Sequence, residues 1–303
     1  MNKSTCSTFA TYHPAINFGF FCAVIGIGMF MIQPIFLIIG IGGALTYGVI
    51  TGGKGTAKFA LCFLLPVISI VTIINPIVNR QGVTVLLETD HLHITLEATL
   101  YGFMLGLMLA SILLWFASYN KVMTTDKFVY LFGRIMPAIS LIFSMVMRFI
   151  PNYKMQITKI SEAQKCIGRD AKTGTMKERI HQGIKIISIM FTWALENSID
   201  SADSMRSRGY GLKNRSTFSI YRFDRRDGIA AAFLILMTAV VLTGTLTGAC
   251  HMDFYPEIIW PGANGSSKGL AYAAYAAFAC ICFYPAAVEV KEALIWQRLQ
   301  HLK

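Results

Sequence analysis

Residues 97–118 read EATLYGFMLGLMLASILLWFAS and hold one charged residue, Glu97, at their first position. A helix needs about 20 consecutive, mostly apolar residues to cross the hydrocarbon core of a bilayer. Five other segments have the same character, so the sequence predicts six membrane-spanning helices, at 17–32, 34–51, 57–79, 97–118, 228–248 and 270–289. Hydrophobic residues make up 54% of the chain and charged residues 14%, whereas about a quarter of a soluble domain is charged. We therefore predict an all-α fold and a polytopic membrane protein.

Positive charge is concentrated in one interval of the chain. Residues 119–226 contain 19 of the 27 Lys and Arg residues and 8 of the 16 acidic residues, which accounts for the whole net charge of +11. Because Lys and Arg accumulate in cytoplasmic segments, this interval is predicted to be cytoplasmic. Counting spans in both directions places both termini in the cytoplasm. With no secretory signal evident, we expect a multi-pass protein of the bacterial cell membrane.

The predicted organisation has three parts. Residues 1–118 supply four transmembrane helices, 119–226 form a cytoplasmic or interfacial domain of coupling helices, and 227–303 supply two more transmembrane helices. Residues 128–150 are apolar enough for a seventh span, but Arg134 and Arg148 would each cost roughly 2–3 kcal/mol at the bilayer centre. One extra span would also invert the polarity of everything that follows it. We favour an interfacial helix here, and the sequence leaves the choice open.

Two long amphipathic helices are predicted inside the basic interval, at 137–167 and 183–208. Large apolar residues recur at steps of three and four, which is the helical period. They include Ile139, Ile142, Val146, Ile150, Tyr153 and Ile157 in the first helix, and Ile187, Met190, Phe191, Leu195 and Ile199 in the second. Pro137 suits a first helical turn, and Pro151 is predicted to kink the first helix near residue 147.

Both helices finish in the same way. Residues 161–170 read SEAQKCIGRD and residues 200–211 read DSADSMRSRGYG, so each ending has a small residue followed by Arg169 or Arg208. A glycine cap and a cation at the negative end of the helix dipole explain one such ending. Two of them suggest a further role, since a planar, always charged guanidinium fits an acidic groove on another protein.

These residues resemble the T component, the transmembrane coupling protein, of energy-coupling factor (ECF) transporters, the CbiQ/EcfT family. That family carries two Ala-Arg-Gly-like helix endings. Here the second ending has Ser207 in the Ala position, and the first has Gly168 and Asp170 in place of Ala and Gly. The resemblance also includes RFIPNYKMQI at 148–157 and Tyr12-His13-Pro14, covers about 12–225, and is strongest over 130–215.

The resemblance implies a function and a set of residues. A T component belongs to an ABC-type importer of vitamins or transition-metal ions, binds two cytoplasmic ABC-type ATPase subunits, and transmits their motion to a separate small substrate-binding membrane (S) subunit. It is not an enzyme and carries neither a cofactor nor a metal. The residues expected to dock the ATPases are Gly168, Arg169, Ser207, Arg208 and Gly209. Those expected to let the two helices cross closely are Ala163, Ala194 and Ala202. The sequence does not identify the substrate.

Two other functions remain as alternatives. A self-sufficient permease is expected to place ionisable residues inside its spans, whereas Lys58 and Glu97 lie at span ends. A membrane enzyme would use the outer-loop cluster Glu88, Asp90, His91 and His93, a group of side chains that could also bind a metal.

Three further patterns are assigned no chemistry. TGGKGT at 51–56 lacks the first glycine of a phosphate-binding loop and is predicted to be a turn on the inner side of the membrane. Seven scattered cysteines without ligand spacing indicate neither a disulfide framework nor a zinc site. The dispersed Lys and Arg residues favour the lipid bilayer as a partner over nucleic acid.

Overall fold

The computed structural model describes residues 7–79, 82–89, 92–133, 136–170, 174–210, 221–252, 254–255 and 268–301. It divides the chain into two compact units, the first formed by Met1–Phe128 with Tyr221–Lys303 and the second by Val129–Ile220. The three-part division by function stays a prediction.

Helices dominate the described part of both units. In chain order they are α1 (Pro14–Phe30), α2 (Pro34–Gly52), α3 (Lys54–Phe59), α4 (Leu65–Val78), α5 (Leu96–Val122), α6 (Thr125–Gly133), α7 (Pro137–Cys166), α8 (Met176–Ser207), α9 (Arg225–Leu246) and α10 (Lys268–His301). A 3₁₀ turn at Phe9–Thr11 precedes α1, and a π-helical turn at Ala60–Leu64 joins α3 to α4. The prediction of an all-α polytopic protein is confirmed.

Each of the six predicted spans coincides with helix in the first unit. Among the described residues, four helices are long and apolar enough to cross a membrane, namely α2, α5, α9 and α10. The helix α1, with 17 residues, and the segment Cys62–Val78 are shorter apolar helices. The loop predicted between the third and fourth spans contains an antiparallel hairpin of β1 (Val85–Thr89) and β2 (Leu92–Thr95), which the sequence analysis missed.

Glycine allows the helices of the first unit to approach closely, as is common between transmembrane helices. A Cβ added at Gly43 of α2 would lie 2.7 Å from Cys282 Cβ of α10. One added at Gly106 of α5 would lie 3.1 Å from Ile68 Cα of α4. Trp115 of α5 is fully buried, and its indole N–H donates to the Gly40 carbonyl at 3.1 Å. The bundle is therefore specified by contacts that leave no room for a larger side chain.

A buried lysine fixes the end of α5 in the first unit. Lys127 is 6% exposed, and its ammonium group donates to the Val122 carbonyl at 2.9 Å and also to the Ala10 carbonyl. Cations favour the carbonyl end of a helix because that end carries partial negative charge. The contact links the N-terminal segment to the end of α5.

The second unit consists mainly of two long helices. The helix α7 has 30 residues, about 45 Å at the usual rise per residue, and passes through Pro151 without interruption. The helix α8 has 32 residues and begins at Met176, seven positions before the predicted start at 183. A capping box between Thr175 and Glu178 explains the earlier start, because it satisfies backbone N–H groups at the first turn.

The ambiguous segment 128–150 is divided between two helices. The helix α6 ends at Gly133, and α7 begins at Pro137. In the part of the chain that the structure describes, neither α7 nor α8 is among the helices that are long and apolar enough to span a membrane. The interfacial placement of 128–150 stays a prediction.

Candidate functional site

The tip of α7 closes with a glycine in the left-handed conformation. Gly168 has φ 78°, and its N–H donates to the Lys165 carbonyl at 3.0 Å. The next N–H, of Arg169, reaches back to the Gln164 carbonyl at 2.9 Å. This pair of hydrogen bonds is the Schellman motif, in which glycine is favoured because it has no Cβ. Ile167 is the C-cap residue, with φ −89° and ψ 9°.

The tip of α8 repeats this backbone. Gly209 has φ 83°, and its N–H donates to the Arg206 carbonyl at 3.0 Å. The N–H of Tyr210 reaches back to the Met205 carbonyl at 3.1 Å. The C-cap residue is Arg208, with φ −85° and ψ 8°. The two tips therefore share one local fold, and Gly168 corresponds to Gly209.

The side chains around the two glycines stand in opposite order. The first tip reads Ile167-Gly168-Arg169, and the second reads Arg208-Gly209-Tyr210. The sequence pattern aligned Arg169 with Arg208, but the backbone places Ile167 at the position of Arg208. Both arginines are exposed. Ile167 is 66% exposed and Tyr210 is 48% exposed. Neither residue was predicted to be a site residue, although aligning the two endings by their cap glycines identifies both.

Ser207, which stands in the Ala position of the second ending, is exposed and donates its hydroxyl to the Ser204 carbonyl at 2.8 Å. This bond within the helix is common for serine. The side chain therefore forms part of the helix end, and the tip surface there is built by Arg208 and Tyr210.

The charge near the two tips also differs. The last turns of α8 carry the exposed carboxylates of Glu196, Asp200 and Asp203 and the exposed guanidinium of Arg206. The last turns of α7 carry the exposed cations Lys159 and Lys165 and the exposed carboxylate of Glu162. The surface leading to the α7 tip is thus more cationic than the surface leading to the α8 tip.

Within the second unit, α7 and α8 meet through aromatic side chains. The rings of Tyr153 and Trp193 lie 5.6 Å apart at 77°, an edge-to-face contact. The buried residues of α8 in the described region are Ile186 and Met190. The residue positions 186, 190 and 193 are separated by one helical turn each, so they share a face.

Most large residues of the predicted apolar stripes are exposed, whereas two members pack inward, since Tyr153 of α7 contacts Trp193 and Met190 of α8 is buried. On α8 the exposed residues follow the helical period over more than five turns: Ile180, Ile184, Ile187, Phe191, Leu195 and Ile199. On α7 they are Ile139, Ile142, Val146, Ile150 and Ile157. Contiguous exposed apolar surface of this kind is typical of a protein or membrane contact.

The small residues expected at the helix crossing are placed differently from one another. Ala194 is half-buried and follows Trp193, whereas Ala163 and Ala202 are exposed. Their role in helix crossing stays a prediction.

Half of the outer-loop cluster of Glu88, Asp90, His91 and His93 lies outside the described residues. Asp90 and His91 fall outside the described residues, and Glu88 pairs with His93 across the β-hairpin through the backbone. Over the described ranges, no group of three or more His, Cys, Asp or Glu residues could hold a metal ion.

The phosphate-loop-like segment forms a tight connection between two helices. Gly53 has φ 58° and caps α2, and α3 begins at Lys54. Thr56 accepts a hydrogen bond at 2.8 Å from the ammonium group of Lys121 on α5. The segment therefore comprises the end of α2, a turn at Gly53 and the start of α3, and it contacts α5 through Thr56.

The first unit contains a cavity of about 490 Å³. Aromatic residues line it, among them Phe30, Tyr101 and Tyr255, together with Cys250 and His251. Burial raises the pKa of the Tyr255 hydroxyl and of the Cys250 thiol.

The long apolar helices of the first unit define a polytopic membrane protein, and the two long helices of the second unit each end in an exposed arginine. The sequence matches the CbiQ family, described as cobalt transport protein, over residues 13–220. The chain belongs to this family, and the recognition made from the sequence is confirmed.

Curated relatives agree with this assignment. The energy-coupling factor transporter transmembrane protein EcfT of Lacticaseibacillus paracasei is 29% identical over 105 residues, 34% of this chain and 40% of that protein. EcfT 1 of Listeria monocytogenes is 34% identical over 102 residues, 33% of this chain and 38% of that protein. Alignments with these relatives thus span about two fifths of their length. EcfT of Staphylococcus aureus is 26% identical over 209 residues, 63% of this chain and 78% of that protein.

Proposed function

We propose that this chain is the transmembrane coupling subunit of an ECF-type ABC importer for a vitamin or a transition-metal ion. It transmits the motion of two cytoplasmic ABC-type ATPase subunits to a separate substrate-binding membrane subunit. Membership of the CbiQ family and the EcfT relatives support this assignment. The chain itself performs no chemical step and needs no cofactor.

The observation that carries the proposal is the matched pair of helix tips. Each ends in a Schellman cap that holds an arginine at the surface, Arg169 beside Gly168 and Arg208 beside Gly209. A well-ordered cap lowers the entropy lost when an arginine becomes fixed in a carboxylate-lined groove. Ser207 continues the helix up to the second arginine. We assign ATPase docking to these five residues.

The transmission step follows from the shape of the second unit. A long helix moves as a rigid lever because its backbone hydrogen bonds are local, so displacement of a tip reaches the other end of the helix. The exposed apolar stripes of α7 and α8 give these levers a surface without directional hydrogen bonds. A neighbouring membrane protein can slide along such a surface. We assign the stripes to contact with the substrate-binding subunit. Ala163, Ala194 and Ala202 permit close crossing of the levers.

The location of the protein completes the proposal. We place it in the cell membrane as a multi-pass protein with both termini and the coupling helices in the cytoplasm, because 119–226 carries the excess of Lys and Arg. Basic residues near the membrane surface bind anionic lipid headgroups. No nucleic acid partner is proposed.

Transport in cells tests the proposal. Arg208→Ala is expected to impair uptake, and the double variant Arg169→Ala, Arg208→Ala to abolish it, while the amount of protein in the membrane stays at the wild-type level. Uptake is measured with a panel of labelled vitamins and transition-metal ions in cells that lack the chromosomal gene. The control is Lys154→Ala, which removes an exposed cation from the interior of α7. Wild-type uptake by the double variant would refute the docking role.

The cavity in the first unit is the one observation that favours a self-sufficient permease. Purified protein reconstituted in liposomes without ATPases discriminates between the two functions. We expect no solute movement in that preparation. Movement that continues without ATP and is blocked by bulky substitution in the cavity would establish the permease instead.

A further inference from the structure

The chain connects the two units at two places. It enters the second unit after Phe128 and returns to the first unit at Tyr221. Burial and the nearby carboxylate of Asp126 raise the pKa of the Tyr221 hydroxyl, so the returning chain lies near the start of α6. Along the backbone, a displacement of the second unit reaches the first unit at these two connections.

A short segment before α1 holds the first connection. Residues 7–13, which we call the anchor segment, receive a hydrogen bond from the ammonium group of Lys127 through the Ala10 carbonyl. The same ammonium group donates to the Val122 carbonyl at 2.9 Å, and the side chain is buried. Because a buried charge is costly without polar partners, Lys127 is held at these two carbonyls. The anchor segment therefore fixes the chain directly before it enters the second unit.

The anchor segment also holds the second connection, at the start of α9. The guanidinium carbon of Arg226 lies 4.4 Å from the centre of the Tyr12 ring, a cation–π contact. The guanidinium group also donates to the Thr11 hydroxyl at 3.3 Å. Next to it, the buried Asp227 carboxylate accepts a hydrogen bond from the His13 backbone N–H at 3.4 Å. Both connections are thus bound to the same segment.

The anchor segment is itself fixed in the core of the first unit. Phe9 is fully buried, and its ring meets those of Phe20 in α1 and Tyr47 in α2 at 5.2 and 6.1 Å, both in edge-to-face contacts. Its backbone N–H donates to the Glu289 carboxylate of α10 at 3.1 Å. A segment held by three helices of the bundle is a stable point of attachment for the two connections.

We propose that the anchor segment positions both connections so that motion of the coupling helices is transmitted to the bundle. Lys127 and Arg226 are its two positioning residues. A lever transmits displacement only if its point of support stays fixed, and free connections would absorb part of each displacement by bending. The inference deepens the proposed function and rests on it, because it assumes that α7 and α8 transmit motion.

Two variants of unequal risk release the connections one at a time. Lys127→Met removes the buried ammonium group from the first connection. Arg226→Gln acts on the second connection at an exposed residue, so the packed core stays intact. Arg226→Lys keeps a cation at the Tyr12 ring and is the conservative variant. The matched control is Arg225→Gln, which removes an exposed guanidinium group from the adjacent position, and adjacent helix positions do not share a face.

The test measures uptake and ATP hydrolysis in the same preparation. Each tagged chain is purified from the membranes of its own host with its bound subunits and reconstituted in liposomes. The probe is the labelled vitamin or transition-metal ion that wild-type cells take up from the panel described above. Amide hydrogen exchange of residues 7–13 is followed in the same samples, because the N–H groups of Phe9 and His13 donate to carboxylates of α10 and α9.

We expect Lys127→Met and Arg226→Gln to keep their ATPase subunits and to hydrolyse ATP, while solute taken up per ATP hydrolysed falls severalfold. Exchange in the anchor segment should become about tenfold faster, the effect of losing one hydrogen bond to a charged group. Arg226→Lys should restore most of the uptake per ATP. Loss of stability alone would lower the amount of folded complex and leave this ratio unchanged.

An unchanged ratio of uptake to hydrolysis in Arg226→Gln would overturn the inference, and so would an equal fall of the ratio in Arg225→Gln. In both cases the wild-type complex would still couple hydrolysis to uptake, so the proposed function would stand. Arg226→Gln decides the outcome if Lys127→Met does not fold. A wild-type preparation that takes up solute without ATPase subunits would contradict the proposed function, and the inference would be wrong with it.

Discussion

At Gly43, in the first unit, an added Cβ would meet the side chain and the backbone of Cys282 at 2.7 and 3.1 Å, while at Gly183, in α8 of the second unit, it would meet nothing within 4 Å. Both units also expose apolar side chains, such as Phe30 and Trp296 in the first unit and Ile187 in the second. The first unit differs in having completely buried aromatic residues, such as Phe20 and Trp115. Close packing therefore specifies the interior of the first unit. For the exposed apolar surface of the second unit we propose contacts with other proteins.

The largest effect is expected from breaking the close approach in the first unit. Gly43→Leu should destabilise the bundle by more than about 3 kcal/mol, the upper end of ordinary overpacking, because the new side chain meets backbone as well as side-chain atoms. The measurements are the amount of folded protein in the membrane and its thermal unfolding in detergent.

The control for this prediction is Gly28→Leu in α1, where an added Cβ has nothing within 4 Å. The same residue type thus enters the same unit without a clash, and a wild-type amount of folded protein is expected. Equal loss of both variants would mean that any added bulk is harmful and that the contact between α2 and α10 has no special role.

Two neighbouring isoleucines sharpen the comparison inside α8. Ile186 is 8% exposed and Ile187 is 68% exposed. Ile186→Ala should cost roughly 2–3 kcal/mol, because it removes buried apolar volume. Ile187→Ala should leave stability unchanged and reduce transport, because it shortens the exposed stripe. Hydrogen exchange of the α8 amides reports the first effect, and uptake in cells reports the second. Faster exchange in both variants would place the stripe inside the unit's own packing.

This pair of residues also shows how much of the structure can be predicted from the sequence. The helices α2, α5, α9 and α10 were predictable as candidate spans, because a long apolar run is a local property. The two amphipathic helices were predictable from their period. Periodicity placed Met190 on one stripe with Ile187 and Phe191, whereas Met190 is buried beside Ile186 and the other two are exposed, because adjacent faces are apolar and only tertiary contacts choose between them.

Other differences have similarly specific causes. The early start of α8 depends on the capping box of Thr175 and Glu178, which lies before the helix start predicted at 183. The hairpin β1–β2 is too short to give a clear alternating pattern. At the tips, the sequence pattern aligned the two arginines. The backbone is instead determined by Gly168 and Gly209. The correspondence of Ile167 with Arg208 is therefore visible only in the dihedral angles and hydrogen bonds.

A moderate effect is expected at the cap glycines of the second unit. Gly209→Ala places a Cβ at φ 83°, which costs roughly 1–2 kcal/mol. Frayed residues after the cap should weaken docking of Arg208, with a smaller effect on the rest of α8. Gly168→Ala, at φ 78°, should act equally at the other tip. The matched control is Gly183→Ala, which lies within the helix and should stabilise α8 slightly.

ATPase binding by the purified variants, together with helix content from circular dichroism, checks this prediction. Normal ATPase binding by Gly209→Ala and Gly168→Ala would show that the caps do not position the arginines.

The smallest effect concerns the opposite end of α8, where Glu178 accepts a hydrogen bond at 2.9 Å from the Thr175 backbone N–H. Glu178→Ala removes that bond and a favourable charge at the positive end of the helix, so it should cost roughly 0.5–1 kcal/mol. Because the loss lies far from the Arg208 tip, we expect faster hydrogen exchange in the first turn of α8 and unchanged ATPase binding there. The control Glu196→Ala removes an equally exposed carboxylate from the helix interior and should not change exchange in the first turn. Weaker ATPase binding by Glu178→Ala at the Arg208 tip would mean that α8 transmits disorder along its length and does not act as the rigid lever that coupling requires.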